Sequence, residues 1–202
     1  MPNTLYISNQ EHTKYLWDCI KAKPNRIIIT TFGIYAGITW NGSDTTTWGS
    51  KYRMDTRELL EAVRNIPQVD IIVGLSEYRS CKDKIPCRDC EKQFIKQLFR
   101  LLGHAECFPT FKWHMGSNIH TKYCLFFYDK KAPRGLAGGR NFTDSDWADI
   151  SFPLSVQHIN KLDTYTTTLL KNTTTITSEA IEAILENSNI PVSSVNSLVE
   201  EA

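Results

Sequence analysis

The sequence predicts an α/β protein: a mixed, largely parallel β-sheet flanked by helices, with a small cysteine-rich insertion. Three observations point there. "NRIIITTFGIYAG" (25–37) and "QVDIIVGL" (68–75) are short apolar runs rich in β-branched residues, the pattern of buried strands. Between them, "DTRELLEAVRNI" (55–66) carries Leu59, Leu60 and Val63 at helical spacing. Strand, helix and strand at these lengths form a βαβ unit, whose two strands are parallel.

The other elements follow along the chain. Pro24 and Gly33 edge the first strand, and Asp55 or Thr56 is placed to cap the first clear helix. After the second strand comes the polar, cysteine-rich "SEYRSCKDKIPCRDC" (76–90). "EKQFIKQLFRLLG" (91–103) is then an amphipathic helix expected to stop at Gly103. "ECFPTFKWHM" and "NIHTKYCLFFYD" read as adjacent strands, and "RGLAGGRN" as a short return strand with a glycine turn. The threonine-rich stretch 164–189 ends helically, but its β-branched residues leave helix and strand both open over the first half. The pattern gives a single domain over 1–190, a loose tail over 191–202 and no internal repeat.

Composition narrows the function. Of 202 residues 41% are hydrophobic and 22% charged, ordinary for a globular domain. A net charge of +1 excludes binding nucleic acid through overall charge, so any such binding needs a local patch. No segment reaches the roughly 18 apolar residues of a spanning helix. The polar N-terminus is unlike a signal peptide, so an intracellular, cytoplasmic location is expected. There the six cysteines are reduced thiols or metal ligands rather than disulfides.

The chemistry concentrates in residues 119–149. On a strand His120 and Lys122 share a face. A neutral imidazole beside an ammonium suits attack on phosphorus: the histidine is the nucleophile, and the lysine neutralises the non-bridging oxygens. Gly138 and Gly139 let backbone approach an anion, Asn141 adds an amide donor, and Asp149 can orient the imidazole. Each feature alone is more often a surface pair or a turn. The ordered set is more specific.

"HTK" followed by "GGRNFT" resembles the HKD motif of the phospholipase D superfamily, HxK…G(S/G)xN, and the "GGRN" form with a following Trp-x-Asp looks most like members related to cardiolipin synthases. The resemblance implies His120 as nucleophile, Lys122 and Asn141 as phosphate ligands and Asp149 as the carboxylate that orients the histidine. Gly139 stands where many members have serine. The family's aspartate, five residues after the lysine, falls on Phe127, with Asp129 two residues further on.

The family's reaction uses two such histidines on one phosphate. A chain with one motif must borrow the second, so the resemblance implies a homodimer and no catalytic metal. Gly138, Gly139, Arg140, His114 and Trp147 are the expected substrate contacts, His114 because its strand is expected beside that of His120. The remaining histidines, His12, His104 and His158, lack an HxK context and read as structural or exposed.

Cys81, Cys87 and Cys90, closed by His104 or Cys107 beyond the helix, form a candidate structural zinc site; the competing reading is a loop with coincidental cysteines. Cys19 and Cys124 sit among apolar residues and read as core thiols. Lys82, Lys84, Arg88, Lys92, Lys96, Arg100, Lys112, Lys130, Lys131, Arg134 and Arg140 would track a polynucleotide if they faced one groove. Trp113, Tyr123 and Trp147 are candidate stacking platforms, with core packing the plainer reading of each. The expected activity is cleavage of DNA or RNA through a phosphohistidine. Phospholipid hydrolysis or phosphatidyl transfer, and a non-catalytic nucleic-acid-binding module, are the alternatives.

Overall fold

β-Branched runs build the centre of the molecule. A computed structural model describes residues 9–34, 56–75, 88–117, 119–138, 151–188 and 190. In chain order the elements are α1 (Asn9–Lys21), β1 (Arg26–Thr31), α2 (Thr56–Val63), β2 (Gln68–Leu75), α3 (Arg88–Cys107), β3 (Lys112–Ser117), β4 (Tyr123–Phe127), β5 (Arg134–Gly138), β6 (Ser151–Pro153), α4 (Val156–Leu170), β7 (Thr174–Thr175) and α5 (Ser178–Asn187). The strands form one sheet in the order β6-β5-β4-β1-β2-β3-β7.

The βαβ reading holds: β1 pairs parallel with β2, and β2 with β3. The sheet is mixed, but parallel pairing is confined to these strands, which α2 and α3 connect by crossover. All other pairs are antiparallel. The expected neighbours "ECFPTFKWHM" and "NIHTKYCLFFYD" are not adjacent, because β1 and β2 lie between β3 and β4. β4 goes to the far side of β1 to cover its second edge.

Alternation along the strands sends side chains to two cores. Ile27, Ile29, Ile71, Val73, Trp113, Met115, Cys124 and Phe126 pack with α1, α2, α3 and α5; Leu59, Leu60 and Val63 of α2 lie in this core. Ile28, Ile72, Tyr123 and Leu125 pack on the other face against Ile159 and Leu162 of α4. Thr166 donates to the Leu162 carbonyl and accepts the Tyr123 hydroxyl, each at 2.7 Å. The threonine-rich stretch thus resolves as helix to Leu170, the short edge strand β7, and α5 capped by the Thr177 hydroxyl.

α3 runs past Gly103 to Cys107. A helical glycine costs about 1 kcal/mol against alanine, but Leu98, Leu101 and His104 are buried on this helix, and that burial outweighs the penalty. Trp113 and Tyr123 are core residues: Trp113 donates its ring N–H to the Phe108 carbonyl. Neither is placed to stack on a base. Residues 191–202 lie outside those described.

Candidate active site at the sheet's C-terminal edge

β1, β2 and β3 run the same way, and β4 runs against them. The residues just before β4 therefore meet the C-terminal ends of β1 and β2. To get there from β3, the chain crosses over β2 with residues 119–122. Gly74 permits the crossing: a Cβ on it would overlap the Ile119 carbonyl and lie 2.8 Å from Cδ2 of Phe32. Gly116 is crowded in the same way by the Ile119 side chain, at 2.9 Å. Ile119 is thus buried in the α4-side core and His120 emerges at the edge.

His120 and Lys122 precede β4 rather than lying in it. His120 is exposed, and its ring stacks on Phe32, centroids 4.5 Å apart and planes 12° from parallel. Lys122 is half-buried, and its ammonium donates to the His120 carbonyl at 3.4 Å. The Gly138 amide donates to the Lys122 carbonyl at 3.1 Å, extending the β4–β5 ladder by one residue. Gly138 in turn pairs with Ser151. Lys122, Gly138 and Ser151 therefore form one row across three strands, with His120 beside it.

The segment with Gly139, Arg140, Asn141, Trp147 and Asp149 lies outside the described residues. The chain leaves the sheet at Gly138 and re-enters at Ser151, which are paired, so both ends of that segment are fixed at the Lys122 row. The HxK pair and the first glycine thus come together, while the contributions of Asn141 and Asp149 rest on the sequence.

Other expected residues fall elsewhere. His114 is on β3, opposite Ile72, with two strands between it and β4. The expectation that its strand neighbours that of His120 is therefore not met, since β1 and β2 lie between β3 and β4. Burial lowers its pKa, with nearby Asp70 acting the other way. Lys112 begins β3, Lys130 and Lys131 follow the far end of β4, and Arg134 begins β5. All four lie at the N-terminal edge of the parallel strands, a strand length from His120, and do not extend a groove from it. Asp129 is also at that edge, where it accepts a hydrogen bond from Asn25.

The zinc reading requires correction at its closing ligand. α3 carries Cys90 in its first turn and ends at Cys107, so about 25 Å of helix at 1.5 Å per residue separates them. His104 lies in the last turn, not beyond the helix. It is buried, its Nδ1–H donates to the Arg100 carbonyl, and it meets Trp113 edge-on. Burial lowers its pKa. Neither His104 nor Cys107 can join Cys90 around one ion. Cys81 and Cys87 lie outside the described residues, among which no three ligating side chains cluster. Cys19 and Cys124 are buried free thiols, as expected.

Two contributors were invisible in the sequence. Phe32 read only as the end of a strand. His12 read as a spare histidine, yet it is buried on α1 with Nδ1 2.8 Å from the Ser151 hydroxyl. That contact seats α1 on the Lys122–Gly138–Ser151 row. A residue 139 positions away leaves no local pattern by which to predict it.

In sequence the chain matches no family model and no curated protein. Solved structures do resemble it. NucT from Helicobacter pylori matches with a TM-score of 0.52 at 13% identity, over 86% of this chain and 98% of its own. Phosphatidylserine synthase from Haemophilus influenzae matches at 0.59 and 11% identity, over 91% of this chain and 44% of its own. Polyphosphate kinase from Porphyromonas gingivalis matches at 0.52 and 12% identity, over 84% and 26%. The chain thus spans nearly all of the first neighbour and less than half of the other two.

Proposed function

We propose, from the phospholipase D superfamily fold that this chain shares with those neighbours, that it is a metal-independent phosphodiesterase, a nuclease acting on DNA or RNA through a phosphohistidine. One observation carries the reading: His120, Lys122 and Gly138 converge at one exposed edge of the sheet.

A ring nitrogen of His120 attacks phosphorus and the bond to the leaving oxygen breaks, giving phosphohistidine. The leaving oxygen takes its proton from a second imidazole. That imidazole then removes a proton from water, which attacks the phosphohistidine, frees His120 and completes hydrolysis. The Lys122 ammonium neutralises the non-bridging oxygens as charge builds on them.

The second imidazole is the His120 of a second copy, brought across a twofold axis. Asn141 completes the phosphate cradle and Asp149 orients His120. Among the described residues no helix is long and apolar enough to cross a membrane. The match to NucT over nearly its whole length is the support for the nuclease reading.

The test is cleavage of labelled single- and double-stranded DNA and RNA in excess EDTA. Cleavage is expected to persist in EDTA, to vanish in His120→Ala, and to fall about 10²–10³-fold in Lys122→Ala. Turnover by His120→Ala overturns the mechanism. Failure to cleave all four polymers, with cleavage of phospholipid vesicles instead, replaces the nuclease by the lipid enzyme.

A further inference from the structure

We infer that Phe32 is a positioning residue for the nucleophile: its ring is the plate that sets the plane of the His120 imidazole. The inference rests on the phosphodiesterase reading for its catalytic consequence and on geometry alone for the contact.

An imidazole nitrogen attacks through a lone pair lying in the ring plane, so fixing that plane fixes the direction of attack. His120 is exposed and precedes the regular ladder, a setting in which a side chain turns over freely. Among the described residues no side chain hydrogen-bonds its ring nitrogens, but the phenyl ring of Phe32 lies 4.5 Å away and within 12° of parallel. A stacked ring pair at this separation favours one ring orientation severalfold.

The plate is itself fixed. Phe32 directly follows β1, the strand paired on both sides, and its ring edge rests on Gly74 where a Cβ would be only 2.8 Å away. The same glycine admits the Ile119 backbone. Gly74, Phe32 and the 119–120 backbone form a stack of three layers that sets both the position and the plane of His120. Aliphatic side chains fill the volume of Phe32 without presenting a flat face, so the role asks for an aromatic ring rather than mere bulk.

The experiment compares Phe32→Leu and Phe32→Tyr with the unaltered protein in two readouts. The first is the chemical shift of the His120 ring protons, assigned by their loss in His120→Ala. A stacked phenyl ring shields them, so an upfield displacement is expected in the unaltered protein and in Phe32→Tyr, and its loss in Phe32→Leu. The second is steady-state cleavage: kcat is expected to fall about 2–10-fold in Phe32→Leu with KM within a factor of two, and to recover in Phe32→Tyr. Unshifted His120 protons in the unaltered protein, or full kcat in a folded Phe32→Leu, overturn the inference. If the unaltered protein cleaves nothing, the phosphodiesterase reading fails, and the ring shift alone then decides whether Phe32 holds His120.

Discussion

The two ends of the parallel strands are built on opposite principles. At the N-terminal edge, polar groups interlock. The Arg26 guanidinium meets Asp163 of α4 at 3.0 Å and Asp70 of β2 at 3.8 Å and lies 5.0 Å over the Phe127 ring. Gln68 donates to Asp70 at 2.7 Å, and Asn25 donates to Asp129. The Tyr15 hydroxyl donates to the Gly135 carbonyl at 3.1 Å beneath Arg134, and burial pushes its pKa up to about 12, so it stays a donor. At the C-terminal edge the chain relies on what is missing. Gly74 and Gly116 lack side chains, Gly138 lacks one at the row's centre, and His120 rests on a single ring. One edge ties helices to the sheet; the other keeps space around His120. Redundant bonds suit the first task, and clearance suits the second.

The contrast is sharpest in substitutions that swap these effects. Gly74→Val is the most damaging at the site edge, because its side chain must displace both the Ile119 backbone and Phe32. Misplacing a reacting group by about 1 Å can cost on the order of 10²-fold, so cleavage is expected to drop by at least that factor. Overpacking costs about 1–3 kcal/mol of stability, and comparing activity with the urea midpoint separates the two. Full activity in Gly74→Val would show that clearance at Gly74 does not position His120.

Asp70→Ala tests the opposite edge. It removes a buried carboxylate that accepts from Gln68 and faces Arg26. Leaving such partners unsatisfied costs about 1–3 kcal/mol, and Asp163 remains to hold part of the Arg26 charge. The expected outcome is a lower urea midpoint with kcat unchanged at temperatures where the variant is folded. A loss of kcat there would mean that the two edges are coupled.

The smallest effect is a pH dependence. His104 is buried neutral, with its pKa held below 6.5 chiefly by burial. As pH falls through 6.5 the unfolded chain takes up this proton before the folded one does. Stability therefore rises with pH across that window and is lost on acidification. His114 acts in the same direction, so the informative quantity is a difference. The fall in melting temperature from pH 7.5 to 5.5 is expected to be smaller in His104→Leu than in the unaltered chain.

Local pattern carried most of what the sequence disclosed. "QVDIIVGL" coincides with β2 at both ends, and Leu59, Leu60 and Val63 face the core as their spacing predicts. His120, Lys122 and Gly138 were legible because the motif orders them along the chain. Long-range features were not. The destination of β4, on the far side of β1, depends on which edge is left open after the crossovers, and no local run encodes that. Gly103 resembled a helix stop because propensity is local and the burial of His104 is not. His12 and Phe32 escaped because their partners, Ser151 and His120, are remote in sequence.

The crossing at Gly74 also imposes an order in time. β1, β2 and β3 can assemble through successive crossovers, but β4 must pair Phe127 with Arg26 and Cys124 with Ile29, contacts about a hundred residues apart along the chain. Closing loops of that length is slow relative to local helix formation. Until β4 docks, Phe32 has no imidazole above it and Gly138 has no Lys122 to join. His120 therefore arrives late, after most of the sheet that receives it, and a chain halted before that step would carry its helices and three central strands without the candidate site.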